Sequence, residues 1–425
     1  MILKMINIKK QFNKHKIFLP IILLFLYKLT RINLLLTLRL KTLTIHPKKL
    51  KKYKGLALGR SIFNEDVKAI NTFSDSITID TIGMSYVWES LEILTEKKIN
   101  DIQSYYNNPK LIDLLKKSTI ELLESIIKKN NYKFIITCNY NYLLLQELHS
   151  LSKKLSIPYI VLFKEGVSFN KKISKNFQKE IPFKADKLIT YNNFVRNDLI
   201  KSKIKGITSN NIVARGVPRF DFIFNVTKIK PIFKATLFSP YPFDKISFYS
   251  NEFDKKLINI TKEFHIDFIN TVLDNTKEDF VIKTKSSSHY KNYVLDIIRE
   301  KKISEIPKNL IITSQMNAQD LMLKSEFIAG FNSTTLLEAT LMKKTVISLS
   351  LKNATEYQDT LLSSINPQSL FWTKSSMFNK FLFTKHEKKS FYQTKELTNF
   401  IHTDKGDSCK QVESEIIKSI KEMAT

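Results

Sequence analysis

Along most of this chain, short apolar runs of strand length alternate with longer stretches in which apolar residues recur at helical spacing. Strands are predicted over residues 55–58, 76–80, 133–138 (KFIITC), 158–163 (PYIVLF), 187–190 and 211–214. Helices are predicted over 109–129, which opens on a proline as a first helical turn tolerates, over 140–154 and near 193–202. A second series follows, with strands at 235–239, 279–284 (DFVIKT), 309–313, 327–329 and 345–349, and helices near 251–273, 290–301 and 333–342. Strands separated by helices of this size imply a parallel sheet with helices on both faces. The pattern therefore predicts an α/β protein with domains at 55–224 and 225–354, the best linker at 225–234, and a helical region without further strong strands at 355–425.

Residues 1–54 stand apart. The run 17–27 (IFLPIILLFLY) is strongly apolar but supplies only half of the ~20 residues that cross a bilayer. Extending it to residue 40 takes in Lys28, Arg31 and Arg39, which are costly at membrane depth. No small-residue cleavage site follows. Lys4, Lys9, Lys10, Lys14 and Lys16 flank it on one side, and Lys48, Lys49, Lys51, Lys52 and Lys54 on the other. Fifteen of the 68 Lys and Arg residues lie in residues 1–64, and none of the 40 acidic ones. An apolar anchor with polybasic flanks suits an anionic membrane surface, so the chain is expected to be cytoplasmic and peripheral to the inner face of the cell membrane. Charge gathered at one end points to a docking surface rather than to nucleic acid. The two cysteines, Cys138 and Cys409, have no metal-like spacing and fit a reducing compartment.

Ligands of open parallel sheets bind beyond the carboxyl ends of the strands, and three such ends carry candidate chemistry. In SEFIAGFNSTTLLEATLMKKTVISL (325–349), Gly330 supplies a turn and Asn332 or Ser333 caps a helix. The hydroxyls of Ser333, Thr334 and Thr335 stand at its N-terminus, where unpaired N–H groups and the helix dipole favour an anion. Glu338, one turn on, is expected within reach of a ribose hydroxyl. The second end is Lys283-Thr284-Lys285, followed by Ser286, Ser287, Ser288 and His289, cations and hydroxyls that suit a phosphate leaving group. The third is Lys164-Glu165-Gly166, a carboxylate able to take a proton from an acceptor hydroxyl. The plainer readings are a capped helix, a solvated basic loop and a surface carboxylate. The chain has no GxGxxG or GxxxxGK[ST] and no Asp-x-Asp for a diphosphate-bound metal, so metal-independent chemistry without a cofactor is expected. His15, His46, His149, His265, His386 and His402 read as surface or internally satisfied residues.

The order of these motifs resembles the two-domain GT-B glycosyltransferases, and within them bacterial enzymes of capsule, lipopolysaccharide and teichoic-acid synthesis. ARGVPRFD (214–221) is similar to their GxPRFD turn, and GFNSTTLLEATLMKKTVI (330–347) to their GxSTTxLEAxxxxxPVI nucleotide-binding element. Sialyltransferase-like members carry an acidic-acidic-Gly motif, a His-Pro motif and a Ser-Ser/Thr motif in chain order. Glu165-Gly166 matches the first in part and Ser333-Thr334 matches the third; at the second, Lys285 stands where His is expected and no proline follows.

The resemblance implies two Rossmann-like domains with a central cleft. It also implies an inverting transfer of sugar from a nucleotide-sugar donor to a glycan or lipid-linked acceptor. Glu165 would be the general base, and Lys283, Lys285 and His289 would stabilise the departing phosphate. Gly330, Ser333, Thr334, Thr335 and Glu338 would hold the nucleotide. Arg215 and Arg219 would touch phosphate or brace the turn, and bracing is the expectation. The alternatives are a glycerophosphotransferase using a CDP-glycerol type of donor, and a non-catalytic scaffold of polysaccharide assembly.

Overall fold

The computed structural model describes residues 18–60, 63–96, 107–164, 181–224, 229–240, 251–331, 333–350, 362, 366, 369–384 and 394–424. Two compact units emerge. The first is built on residues up to Phe222 together with Asn399–Thr425, and the second on Ile223–Thr398.

The first unit holds a six-stranded parallel sheet: β1 (Tyr53–Gly59), β2 (Ile77–Gly83), β3 (Phe134–Thr137), β4 (Tyr159–Phe163), β5 (Lys187–Thr190) and β6 (Ile212–Ala214). Its order is β2-β1-β3-β4-β5-β6, so the direction of succession reverses between β1 and β3. The strands read as unbroken apolar runs because a parallel sheet is buried on both faces; β3, β4 and β5 are buried at every position. Helices α3 (Phe63–Phe73), α4 (Met84–Thr95), α5 (Pro109–Lys129), α6 (Leu148–Leu155) and α7 (Asn193–Lys201) connect them. The Asn108 side chain caps α5 by accepting from Leu111 N at 3.0 Å, and Pro109 fills the first turn. The helix expected over 140–154 is a 3-10 turn at Leu143–Leu145 followed by α6.

The second unit repeats the architecture with β7 (Phe233–Phe238), β8 (Phe280–Lys283), β9 (Leu310–Thr313), β10 (Ser325–Gly330), β11 (Thr345–Leu349) and β12 (Leu370–Trp372). Its order is β12-β11-β10-β7-β8-β9, all parallel, with the reversal between β7 and β10. Helices α8 (Asn251–Asp274), α9 (Ser288–Glu300), α10 (Ala318–Lys324), α11 (Thr334–Leu341) and α12 (Met377–Phe383) belong to it. Phe264, Phe268 and Phe280 meet Trp372 and Phe378 in its core. β7 begins inside the stretch read as a linker. β12 departs from the helical reading of 355–425: three residues fall short of any period, but Trp372 is fully buried and donates to Asp267 Oδ2 at 2.7 Å.

The C-terminal helices α13 (Thr394–Ile401) and α14 (Ser408–Glu422) follow, and α14 packs in the first unit. Asp221 at the end of RGVPRFD accepts from Ser408 N at 3.1 Å and Cys409 N at 2.7 Å, which satisfies the first orphan donors of α14. Gly216 adopts φ +85°, and a Cβ there would collide with Ser408 Oγ, so the turn needs glycine twice over. The N-terminal stretch is helical over residues 18–30 (α1), then over α2 (Leu34–Thr42). Among the described residues no helix is long and apolar enough to cross a membrane.

Candidate functional site

The strand-order reversal of an open parallel sheet leaves a crevice at the carboxyl ends, because the loops after the two central strands run to opposite faces. In the second unit those strands are β7 and β10, and β10 ends at Gly330. A Cβ on Gly330 would lie 3.4 Å from the Phe238 carbonyl oxygen and 3.3 Å from Leu336, so glycine keeps the ends of β7 and β10 and the start of α11 close-packed. Ser333 is the N-cap: its Oγ accepts from Thr335 N at 3.2 Å and donates to Thr335 Oγ1 at 2.8 Å. No acidic residue stands in the first turn of α11, so its positive end is not neutralised from within. Gly330, Ser333, Thr334 and Thr335 thus gather at the reversal. Glu338, one turn further, is 6% exposed. Asn332, the other cap candidate, lies outside the described residues.

The basic loop after β8 divides in two. The Lys283 ammonium donates to the carbonyls of Thr284 (2.7 Å) and Ser314 (3.1 Å), which draws it to the β9 side of the sheet. Burial lowers its pKa. Lys285 and His289 gather instead around Tyr290: Lys285 Nζ is 5.1 Å from the ring centroid, and the His289 ring 4.1 Å. Ser287, the N-cap of α9, meets His289 Nδ1 at 2.8 Å. Lys283 thus bonds to carbonyls at the ends of β8 and β9, while Lys285 and His289 share the Tyr290 ring.

One polar pair at the reversal escaped the sequence reading. Ser239 follows β7, and its Oγ lies 2.8 Å from His265 Nε2. His265 Nδ1 is 2.7 Å from the Thr261 carbonyl, so Nδ1 carries the proton and Nε2 accepts from the serine. The ring is fully buried, and burial pushes its pKa down to about 4, keeping it neutral. The available signal was its place on the α8 stripe with Thr261, Phe264, Phe268 and Val272, the five standing at i, i+3, i+4, i+7 and i+11.

In the first unit, Glu165 and Gly166 lie outside the described residues. Lys164 precedes them at the end of β4, its N–H bonded to the Cys138 carbonyl at 3.1 Å. At the reversal between β1 and β3 the structure adds three residues that sequence patterns did not single out. Arg60 follows β1, and its guanidinium carbon is 4.9 Å from the Tyr142 ring centroid and 5.3 Å from that of Trp88. The two rings meet edge to face at 5.2 Å. Among the described residues Arg60 has no carboxylate within ion-pair distance, and the buried Trp88 Nε1 has no acceptor. Arg219 is buried and Arg215 half-buried. Arg215 Nε donates to Glu415 Oε1 at 3.1 Å, and Arg219 Nη1 to both oxygens of Asp66 at 3.2 and 3.3 Å. These contacts tie β6 to α14 and α3.

No protein-family pattern and no curated protein sequence matches the chain. Solved structures do. A candidate UDP-N-acetylglucosamine 2-epimerase from Listeria monocytogenes superposes with a TM-score of 0.52 at 12% identity, covering 87% of this chain and 97% of that one. The fold is of the GT-B kind. The UDP-GlcNAc 2-epimerase of Neisseria meningitidis bound to UDP-GlcNAc gives 0.49 at 13% identity over 86% and 100% of the two chains. A glycosyltransferase from Rickettsia africae gives 0.42 at 15% identity over 88% and 99%.

Proposed function

We propose that this chain is an inverting, metal-independent glycosyltransferase that moves a sugar from a nucleotide-sugar donor to a growing cell-surface glycan or lipid-linked acceptor. One observation carries the reading: the helix N-terminus with Ser333, Thr334 and Thr335 stands at the strand-order reversal of the second sheet, where a diphosphate finds N–H donors and no competing acid. The GT-B kind of fold is consistent with it, and the Listeria protein that superposes at 0.52 is described as a candidate UDP-N-acetylglucosamine 2-epimerase.

In the proposed reaction an acceptor hydroxyl oxygen bonds to the anomeric carbon as the bond to the donor phosphate breaks, and Glu165 takes the hydroxyl proton. The departing nucleoside diphosphate gathers negative charge, which the α11 N-terminus, Lys285 and His289 offset. Glu338 holds the ribose. On the acceptor side, Arg60 over Trp88 and Tyr142 offers an exposed cation on an aromatic platform, suited to a sugar bearing a carboxylate or phosphate.

A second reading follows from the 2-epimerase neighbours: turnover of the donor sugar with no acceptor. Incubating the protein with UDP-, CDP- and GDP-linked donors, with and without glycan acceptors, separates the two. Acceptor-dependent release of nucleotide supports transfer. Conversion of the sugar in the absence of any acceptor would replace transfer by epimerisation, and nucleotide binding without turnover would leave a scaffold.

A further inference from the structure

The first two helices present an apolar surface that the rest of the first unit leaves uncovered. In α1 a narrow stripe is buried, Leu23 at 9% and Tyr27 at 4% exposure, while Phe18, Ile21, Ile22, Phe25 and Leu29 are 48–66% exposed. Among the described residues, ten of the twenty large exposed apolar side chains fall within residues 18–38. Side chains scattered singly over a surface need no explanation, but such a concentration marks an interaction face. The face is also firmly mounted. In α2, Leu36 and Leu40 are fully buried, Arg39 pairs with Glu89 at 2.5 Å, Thr37 donates to the Leu122 carbonyl at 3.3 Å, and Asn33 donates to Glu121 at 2.8 Å. Between the helices, Arg31 takes φ 56° and turns the chain.

Charge selects the occupant. Lys28 and Arg31 are exposed on the same segment, and Lys48, Lys49 and Lys52 are exposed beside Ile45 (69%) and Leu50 (72%). Residues 1–64 contain no carboxylate at all. An apolar face whose own segment carries cations and no carboxylate, with the neighbouring Glu89 and Glu121 engaged by Arg39 and Asn33, is complementary to a surface that is apolar inside and anionic outside, which describes a bilayer rich in acidic phospholipid. Thirteen described helical residues extend roughly 20 Å, too short to cross the ~30 Å hydrocarbon layer but suited to lying in its interface.

We propose that α1 and the exposed edge of α2 form a rigid in-plane membrane-docking wedge. Phe18, Ile21, Ile22, Phe25 and Leu29 enter the acyl boundary, while Lys28 and Arg31 meet anionic headgroups. Such docking is independent of the proposed transfer and would serve whichever reaction the chain catalyses. It gives the acceptor side of the molecule a fixed attachment to the membrane rather than a flexible tether, because the wedge is bonded to α4 and α5.

The test uses the full chain and two kinds of vesicle, phosphatidylcholine alone and phosphatidylcholine with about 30% phosphatidylglycerol. The Phe25→Trp variant should shift its emission to the blue on the anionic vesicles and be quenched by brominated acyl chains, beyond any quenching of the unsubstituted protein. Ile22→Glu with Phe25→Glu should lower partitioning by about tenfold or more. Lys28→Ala and Arg31→Ala should each lower it by about fivefold on anionic vesicles only. These positions are exposed, so folding is retained and the unchanged far-ultraviolet dichroism serves as the control. An unquenched indole in the F25W variant would overturn the proposal, as would equal binding to both vesicles. A vesicle-independent dimer that Phe25→Glu dissociates would assign the face to a second copy of the chain instead.

Discussion

Asp66 and Arg219, 153 residues apart in sequence, form an ion pair with side chains only 0% and 3% exposed. Tyr191 donates its hydroxyl to the same carboxylate, and the Arg219 N–H does so at 3.1 Å. Removing one partner from such a cluster leaves the other charge buried and unpaired. Arg219→Ala is therefore expected to lower the stability of the first unit by about 3–5 kcal/mol, and Tyr191→Phe by about 1 kcal/mol. Urea denaturation followed by far-ultraviolet dichroism checks both. A loss below ~1 kcal/mol for Arg219→Ala would show that the pair does not brace the fold.

This cluster also marks how much of the molecule was legible in the sequence. The two strand-and-helix series and nearly every core strand could be read from periodicity, since parallel strands buried on both faces leave unbroken apolar runs such as KFIITC and PYIVLF. RGVPRFD was visible as a turn. Its role as a socket for α14 was not, because it depends on Asp221 meeting Ser408 and Cys409 from 187 and 188 residues away. Likewise Ser239 and His265 meet only once α8 packs behind β7, and Arg60 acquires Trp88 and Tyr142 only when β1 and β3 become neighbours. Of the candidate loops, the Ser333 cap lay in a local pattern and could be read; the direction of Lys283 depends on a strand formed 27 residues later, β9, and could not.

Stability should depend on pH through His265. Burial holds it neutral with a folded pKa of about 4, below the 6.5 of the free side chain. Between these values the unfolded chain binds the proton and the folded one does not, so protonation favours unfolding. The contribution is fully present above pH 6.5 and is lost as the pH falls towards 4, on the order of 3 kcal/mol in all. Melting temperatures of wild type and His265→Phe over pH 4–7 test this: the difference between the two curves should change across that window, and parallel curves would contradict it.

Arg60→Ala should raise the KM for an anionic acceptor by about tenfold, the loss of one charge-assisted contact, with little change in the donor KM. Arg60→Lys should recover part of it, because the ammonium keeps the charge but loses the planar stacking. Equal KM values for wild type and both variants would remove Arg60 from the acceptor side.

Glu165→Gln should reduce kcat by about 100-fold or more while leaving nucleotide affinity unchanged, as expected for a group that acts on the acceptor proton alone. Turnover within a factor of a few of wild type would take Glu165 out of the mechanism. In the same assay, excess chelator should not alter turnover; loss of activity restored by a divalent cation would contradict metal independence.

The central claim is that the N-terminus of α11 holds the nucleotide phosphates, and Thr334→Glu tests it most directly. A carboxylate in the first turn complements the helix dipole, so the substitution should leave the melting temperature unchanged or slightly raised while repelling a bound phosphate. Calorimetric titration of wild type with UDP, CDP, GDP and CMP should identify at least one ligand. Its Kd should weaken by tenfold or more, on the order of 1.4 kcal/mol, in the variant. An unchanged Kd in a variant with unchanged melting would place the nucleotide elsewhere and contradict the account.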